Sequence, residues 1–226
     1  MRSVHFPLRE RPHLPLKMMK EITLINPNST FAMNSVILGS AERAAGYNVA
    51  LRVVCVEESP SLINTDADEI RAAYWTLSKA KMLQNSTDGF VIACHSDPAV
   101  SAVEEETGKK TVGIGFASLS AAARYAGKSA ILAISEHSIR RKTALARRYG
   151  FEGRFDTYAS GYSEMMSESE ILQCLERAAR IALQKADYAS LVLGCAGMGC
   201  AAPMLRKRLP IPVIDGVEEA VKFFNR

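Results

Sequence analysis

Asp88-Gly89-Phe90-Val91-Ile92-Ala93-Cys94-His95-Ser96-Asp97-Pro98 is a short apolar run that ends abruptly in reactive and polar groups, followed by a proline. Four apolar residues, Phe90–Ala93, are too few for a helix and read as a buried strand. Pro98 opens a following helix at a position where a missing N–H costs nothing, with Ser96 or Asp97 available to cap it. Working outward, the same alternation recurs. Strands are expected at Ile22–Ile25, Val49–Val56 and Thr111–Ile114, with helices over 30–45 and 66–84, the latter capped by Thr65 or Asp66. Beyond Gly127 come strands at Ala130–Ile134, Phe155–Tyr158, Leu191–Leu193 and Ile211–Ile214. Helices are expected at Ser118–Tyr125, Ser138–Tyr149, Glu168–Lys185, Pro203–Arg208 and Val217–Phe224. Strands alternating with helices argue a parallel α/β fold.

The two halves echo each other. Ile25-Asn26-Pro27-Asn28-Ser29-Thr30 has a counterpart in Ile134-Ser135-Glu136-His137-Ser138, and Val91-Ile92-Ala93-Cys94 in Val192-Leu193-Gly194-Cys195. Residues 1–18 differ from the rest. They hold three prolines and no period, and read as a disordered leader or an upstream start.

Composition narrows the function. The net charge of +4 is misleading, because Arg2, Arg9, Arg11 and Lys17 stand against Glu10 in the first eighteen residues and the remainder is almost neutral. The clusters Arg140-Arg141-Lys142 and Arg206-Lys207-Arg208 read as solvated helix ends, so a nucleic-acid surface is not expected. Five cysteines without a CxxC pair argue against a disulfide scaffold or a zinc site, and for a reducing, cytoplasmic setting. The apolar stretch Leu191–Leu205 is broken by three glycines and Pro203, so no membrane span is expected.

Ligands of parallel sheets bind beyond the carboxyl ends of strands. Those ends carry Asn26, Cys94, Ser135 and Cys195. Cys55 and Cys174 lie inside elements and read as packing. Cys94 and Cys195 are each followed by a turn, Cys195 within Gly194-Cys195-Ala196-Gly197-Met198-Gly199. Small residues and helix N-termini there would lower a thiol's pKa. Two thiols, one per half, suit inversion of a carbon acid, with one removing a proton and the other delivering one to the opposite face. The enolate formed between these steps needs donors, which Gly194–Ala196 and the turn after Cys94 could supply.

Leu24–Thr30, Asp88–Pro98, Leu193–Met198 and Pro212-Val213-Ile214-Asp215-Gly216-Val217, in that order, resemble the aspartate/glutamate/hydantoin racemase superfamily, especially its hydantoin/allantoin branch. The resemblance implies a cofactor-independent racemase with two pseudo-symmetric parallel-sheet lobes, helices on both faces of each sheet, and the active site in the cleft between them. It also implies a cytoplasmic homo-oligomer acting on a small molecule, without metal. The first lobe would comprise 19–113 plus 211–226, the chain returning there at its end, and the second 114–210. Cys94 and Cys195 match the paired acid/base cysteines, and Asn26 and Ser135 match substrate-contacting positions. Ser29, Gly194 and Ala196 stand beside these motifs as further contacts. His95 follows Cys94 where the branch usually has an aromatic, and Phe116 stands where an acidic residue is common, so both are expected near the substrate. The expected substrate is a hydantoin-type ring (a 5-substituted hydantoin or allantoin), for which strand ends without arginine or lysine suit a neutral molecule. Aspartate or glutamate racemisation and non-catalytic binding on the same scaffold are the alternatives.

Overall fold

A computed structural model describes residues 19–225, so the leader expected at 1–18 lies outside the described residues. Eight strands form two parallel sheets of four. In the first, β1 (Lys20–Asn26), β2 (Val49–Cys55), β3 (Gly89–Ile92) and β4 (Lys110–Gly113) run in the order β2-β1-β3-β4. In the second, β5 (Ser129–Ala133), β6 (Phe155–Ala159), β7 (Ser190–Leu193) and β8 (Val213–Asp215) run in the order β6-β5-β7-β8. The two orders are the same, which gives the sequence echo a structural counterpart. All six strand pairings are parallel, so the connections cross over through helices.

Those helices are α1 (Met33–Ala44), α2 (Asp66–Leu83), α3 (Val100–Thr107), α4 (Ile114–Ala122), α5 (Glu136–Arg148), α6 (Glu168–Lys185), α7 (Ala202–Arg208) and α8 (Gly216–Lys222). Local chemistry sets several ends. Thr65 caps α2, accepting from the Asp68 N–H, while the Asp68 carboxylate accepts from the Thr65 N–H. Ser167 and Glu170 repeat that device at α6. Pro98, by contrast, does not open α3. Asp97 and Ala99 both adopt left-handed backbone, with φ of 53° and 60°, and α3 starts only at Val100. A residue before proline avoids the helical region, and aspartate tolerates the left-handed one.

β4 and β8 run straight into α4 and α8 without a loop. Each of these helices then reaches the core of the opposite lobe. Leu119, Ala121 and Ala122 of α4 pack with Ile131, Val192 and Ile214 of the second sheet. Val217 and Val221 of α8, with Phe224 just after it, pack with Ile22, Leu24, Val91 and Val112 of the first. Each large apolar side chain buried in this way is worth about 1.5–3 kcal/mol, so the exchange outweighs any single polar contact between the lobes. It also corrects the expected boundary at 211. β8 pairs with β7 in the second sheet, because Leu191, Val192 and Leu193 register with Val213, Ile214 and Asp215; only the helix after it packs onto the first lobe. Likewise α4 begins at Ile114 rather than Ser118 and has Ile114 and Ala117 in the first-lobe core.

A polar junction accompanies the exchange. Arg43 of α1 donates to Glu218 at 2.7 Å, to Asp215 at 3.1 Å and to the Gly199 carbonyl at 2.9 Å. Arg206, exposed in the last turn of α7 as expected, adds a 2.8 Å ion pair to Glu218. Burial pushes the Glu218 carboxyl up, but Arg206 and Arg43 outweigh it and hold it below the usual range.

At the crossing point a Cβ on Gly216 would stand 2.6 Å from the Ile114 carbonyl oxygen, a backbone atom that cannot rotate away. Gly216→Ala is therefore expected to destabilise the fold by about 3 kcal/mol, as overpacking does. The shift of the urea midpoint at constant slope measures it; an unchanged midpoint would contradict the crossing geometry.

Candidate active site

Strands β3 and β7 occupy equivalent places in their sheets, and each is followed two residues later by a cysteine. Cys94 and Cys195 line one cavity between the lobes. Its space is about 60 Å³, against the ~10–15 Å³ that one water requires, which suits a small molecule. Asn28, Met33, Ala93 and His95 reach it from the first lobe, and Ile134, Ser138, Tyr162, Gly194 and Ala196 from the second.

The Cys94 turn is held from below. The Asp97 N–H donates to the Cys94 carbonyl at 3.0 Å. The Asp97 carboxylate accepts from the Gly115 and Phe116 N–H groups at 2.8 and 2.6 Å and from the Tyr149 hydroxyl at 2.8 Å. Asp97 thus caps α4 from a distant turn rather than capping α3. Burial raises its pKa against the pull of those hydrogen bonds. The Cys94 sulfur lies 3.4 Å from the Ser96 hydroxyl. Opposite it, the Cys195 turn is fastened through Gly199 to Arg43. Tyr162, from the loop after β6, lies so close that a Cβ on Gly197 would clash with its hydroxyl.

His95 is buried. Its Nε2 lies 3.1 Å from Ser118 Oγ, and that hydroxyl donates to the Gly115 carbonyl at 2.9 Å. This network assigns the proton to Nε2 and leaves Nδ1, which has no partner, as an acceptor. Burial, with the nearby Lys142 charge, holds the imidazole well below its ordinary pKa, so it is neutral.

The expected helix-terminus lowering of the thiol pKa fails at Cys195. Burial pushes it up to about 11, against the pulls of the Gly197 N–H and Lys142. This thiol holds its proton at neutral pH.

Several expected substrate contacts fall elsewhere. Asn26 is fully buried and outside the cavity lining, its amide donating to the Thr30 carbonyl and to Asn34, both at 3.2 Å. It shapes the Asn-Pro-Asn turn, and Asn28 faces the cavity instead. Ser29 is not among the lining residues; its N–H donates to the Pro60 carbonyl. Ser135 begins α5, and Ser138, nearly one turn further on, reaches the cavity in its place. Phe116 packs edge-on against Tyr149 with ring centroids 5.2 Å apart, outside the lining.

Two cations that look like surface charge in the sequence join the site. Arg141 and Lys142 line the cavity, and Lys142 is buried rather than solvated. The signal was available: 138, 142, 145, 146 and 149 form one face of α5, so Lys142 stands in the apolar register. Arg141 donates to the Ile63 and Thr65 carbonyls at 3.2 and 3.3 Å, drawing the β2–α2 loop over the cleft, where Ser61, Leu62 and Ile63 cover the site.

Comparison with known proteins gives the family and the fold. The family model described as Asp/Glu/Hydantoin racemase matches residues 22–224. A hydantoin racemase of Paenarthrobacter aurescens is 30% identical over 207 residues, spanning 89% of this chain and 88% of its own. One from Pseudomonas sp. (strain NS671) is 31% identical over 208 residues, with 90% and 84% covered. An allantoin racemase structure from Klebsiella pneumoniae superimposes with a TM-score of 0.83 at 26% identity, covering 90% of this chain and 85% of its own.

With a thiol pKa near 11, the thiolate fraction of Cys195 grows about tenfold per pH unit on the way up. Its alkylation by iodoacetamide, followed by peptide mass spectrometry, is expected to climb continuously from pH 7 to 10. A plateau reached below pH 9 would contradict the burial of this sulfur.

Proposed function

From the premise that the chain belongs to the Asp/Glu/Hydantoin racemase family, we propose that it inverts the C5 centre of a hydantoin-type ring, passing protons through Cys94 and Cys195 without a cofactor. The chain is a racemase by that membership; the ring substrate and the two-thiol route are our reading. The observation that carries it is the pair of cysteines at equivalent strand ends of opposite lobes, lining one cavity. C5 of such a ring is flanked by a carbonyl, so removal of its hydrogen leaves an enolate. The Cys94 thiolate takes the proton from one face, forming S–H. The Cys195 thiol, which keeps its proton because desolvation disfavours its charge, gives one to the other face, and the roles reverse for the opposite enantiomer. The Gly194 N–H is committed to the Leu132 carbonyl, so the enolate oxygen is assigned to the backbone N–H of Ala196, which lines the cavity beside Cys195. The neutral His95 offers only the bare Nδ1 and takes no part as an acid. The hydantoin racemases among the relatives support the ring over other carbon acids.

One observation favours a second reading. The site is not free of cations, as the strand ends alone suggested, and Lys142 could meet the α-carboxylate of a small amino acid such as aspartate or glutamate.

The test is deuterium wash-in. A single enantiomer of a 5-substituted hydantoin, and separately of allantoin, is incubated in heavy water while optical rotation and C5 labelling are followed. Loss of rotation with one label per inversion is expected; retained rotation with every hydantoin and allantoin, alongside turnover of aspartate or glutamate, establishes the second reading. Cys94→Ser and Cys195→Ser should each cut racemisation by about 10²–10⁴-fold, the scale of one acid/base group. Each variant is expected to retain C5–H exchange with one enantiomer only. Full activity in either variant overturns the two-thiol route.

A further inference from the structure

Lys142 is an unusual residue to find where it is. It is only 8% exposed, and it lines the cavity that holds both cysteines. Among the described residues no carboxylate stands within ion-pair distance of its ammonium. Its neighbours are committed. Arg141 is bonded to the Ile63 and Thr65 carbonyls, and the Asp97 carboxylate accepts three hydrogen bonds of its own. Glu164 lines the cavity but is exposed to solvent. His95 is neutral, so it supplies no counter-charge. A buried ammonium is costly unless something negative faces it, and the groups left to do so are the two sulfurs.

Resting on the ring-racemase reading above, we infer that Lys142 is the fixed countercharge of the proton relay, facing the one negative charge that moves from the first sulfur to the enolate and on to the second sulfur. The charge arithmetic closes at every stage. In the working form of this relay, with one sulfur ionised, one ammonium faces one thiolate. When the thiolate takes the C5 hydrogen, a C–H bond breaks, an S–H bond forms, and the charge moves to the enolate oxygen. When the opposite thiol delivers its proton, an S–H bond breaks, a C–H bond forms, and the charge ends on the second sulfur. A neutral ring keeps this balance throughout; a substrate bringing its own carboxylate would add a second anion. Burial and, less, Arg141 lower the lysine's pKa, while charge on Cys94 and Cys195, and then on Asp97, pulls it back up; Lys142 in turn favours the charged form of Cys195.

Three measurements test this. Lys142→Met is expected to lower kcat for the hydantoin by about 100-fold or more, the scale of losing one group that stabilises developing charge, with KM changed less than about threefold. The same variant is expected to alkylate at Cys195 at least about tenfold more slowly at pH 8, one unit of thiol pKa, and Lys142→Arg should recover part of both effects. Because Lys142→Met could fail to fold, the third measurement leaves the lysine in place. ¹⁵N-lysine NMR of the unaltered chain and of the Cys94→Ser/Cys195→Ser double variant should show the Lys142 titration point falling when the sulfurs are gone. An equal titration point in both, or an unchanged alkylation profile in folded Lys142→Met, overturns the inference. A rise in KM with kcat preserved also overturns it, and makes Lys142 a substrate anchor. If the unaltered chain turns over no hydantoin or allantoin, the ring reading fails while the alkylation and NMR results still decide the role of Lys142.

Discussion

The close approach of two helix N-termini, α4 and α8, governs this architecture. Both helices begin at the residue after a strand ends, so the strand directions dictate where they go, and both go into the other lobe. The approach requires glycine at the start of α8, and the Cys94 turn requires a second glycine at the start of α4. A Cβ on Gly216 would meet the Ile114 carbonyl, and one on Gly115 would stand 2.7 Å from the His95 carbonyl. The second of these contacts places the start of α4 directly beneath the turn that carries Cys94. Asp97 then bonds the two together by capping α4 while closing its own turn onto Cys94. On the other side Asp215 caps α8, accepting from the Val217 N–H at 2.9 Å, and shares Arg43 with the Gly199 carbonyl of the Cys195 turn. Each cysteine is therefore located by the same junction that sets the relation between the lobes.

The electrostatics of the cleft follow from burial more than from local motif. Cys195 stands at the start of a short helical turn, which favours a thiolate, yet loss of solvent outweighs that pull. His95 follows a candidate nucleophile but is spent on Ser118. The charge that matters enters from a helix whose sequence looks like an ordinary basic surface.

Much of the fold was legible because its signals are local and redundant. Short apolar runs and Thr65 capping sufficed for the eight strands and the start of α2, and a cysteine beyond each of two apolar runs placed both sulfurs in one cavity. The residues that failed did so for tertiary reasons. Asn26 sits at the expected strand end, but its amide is consumed inside its own turn. Asp97 is next to Pro98 in sequence, yet its partners are 18 and 19 residues away. Arg141 and Lys142 look alike in a basic run, and only the helical register separates the one that holds a loop from the one that faces the sulfurs. In the sequence the return of the chain at 211 looks like one event, whereas β8 joins the second sheet and α8 the first-lobe core.

Neither half is a closed unit, since severing the chain between α4 and β5 would leave each part with an apolar face that only the other's terminal helix covers. A half-length chain with the same strand order would leave that face open until the last helix of a twin covered it.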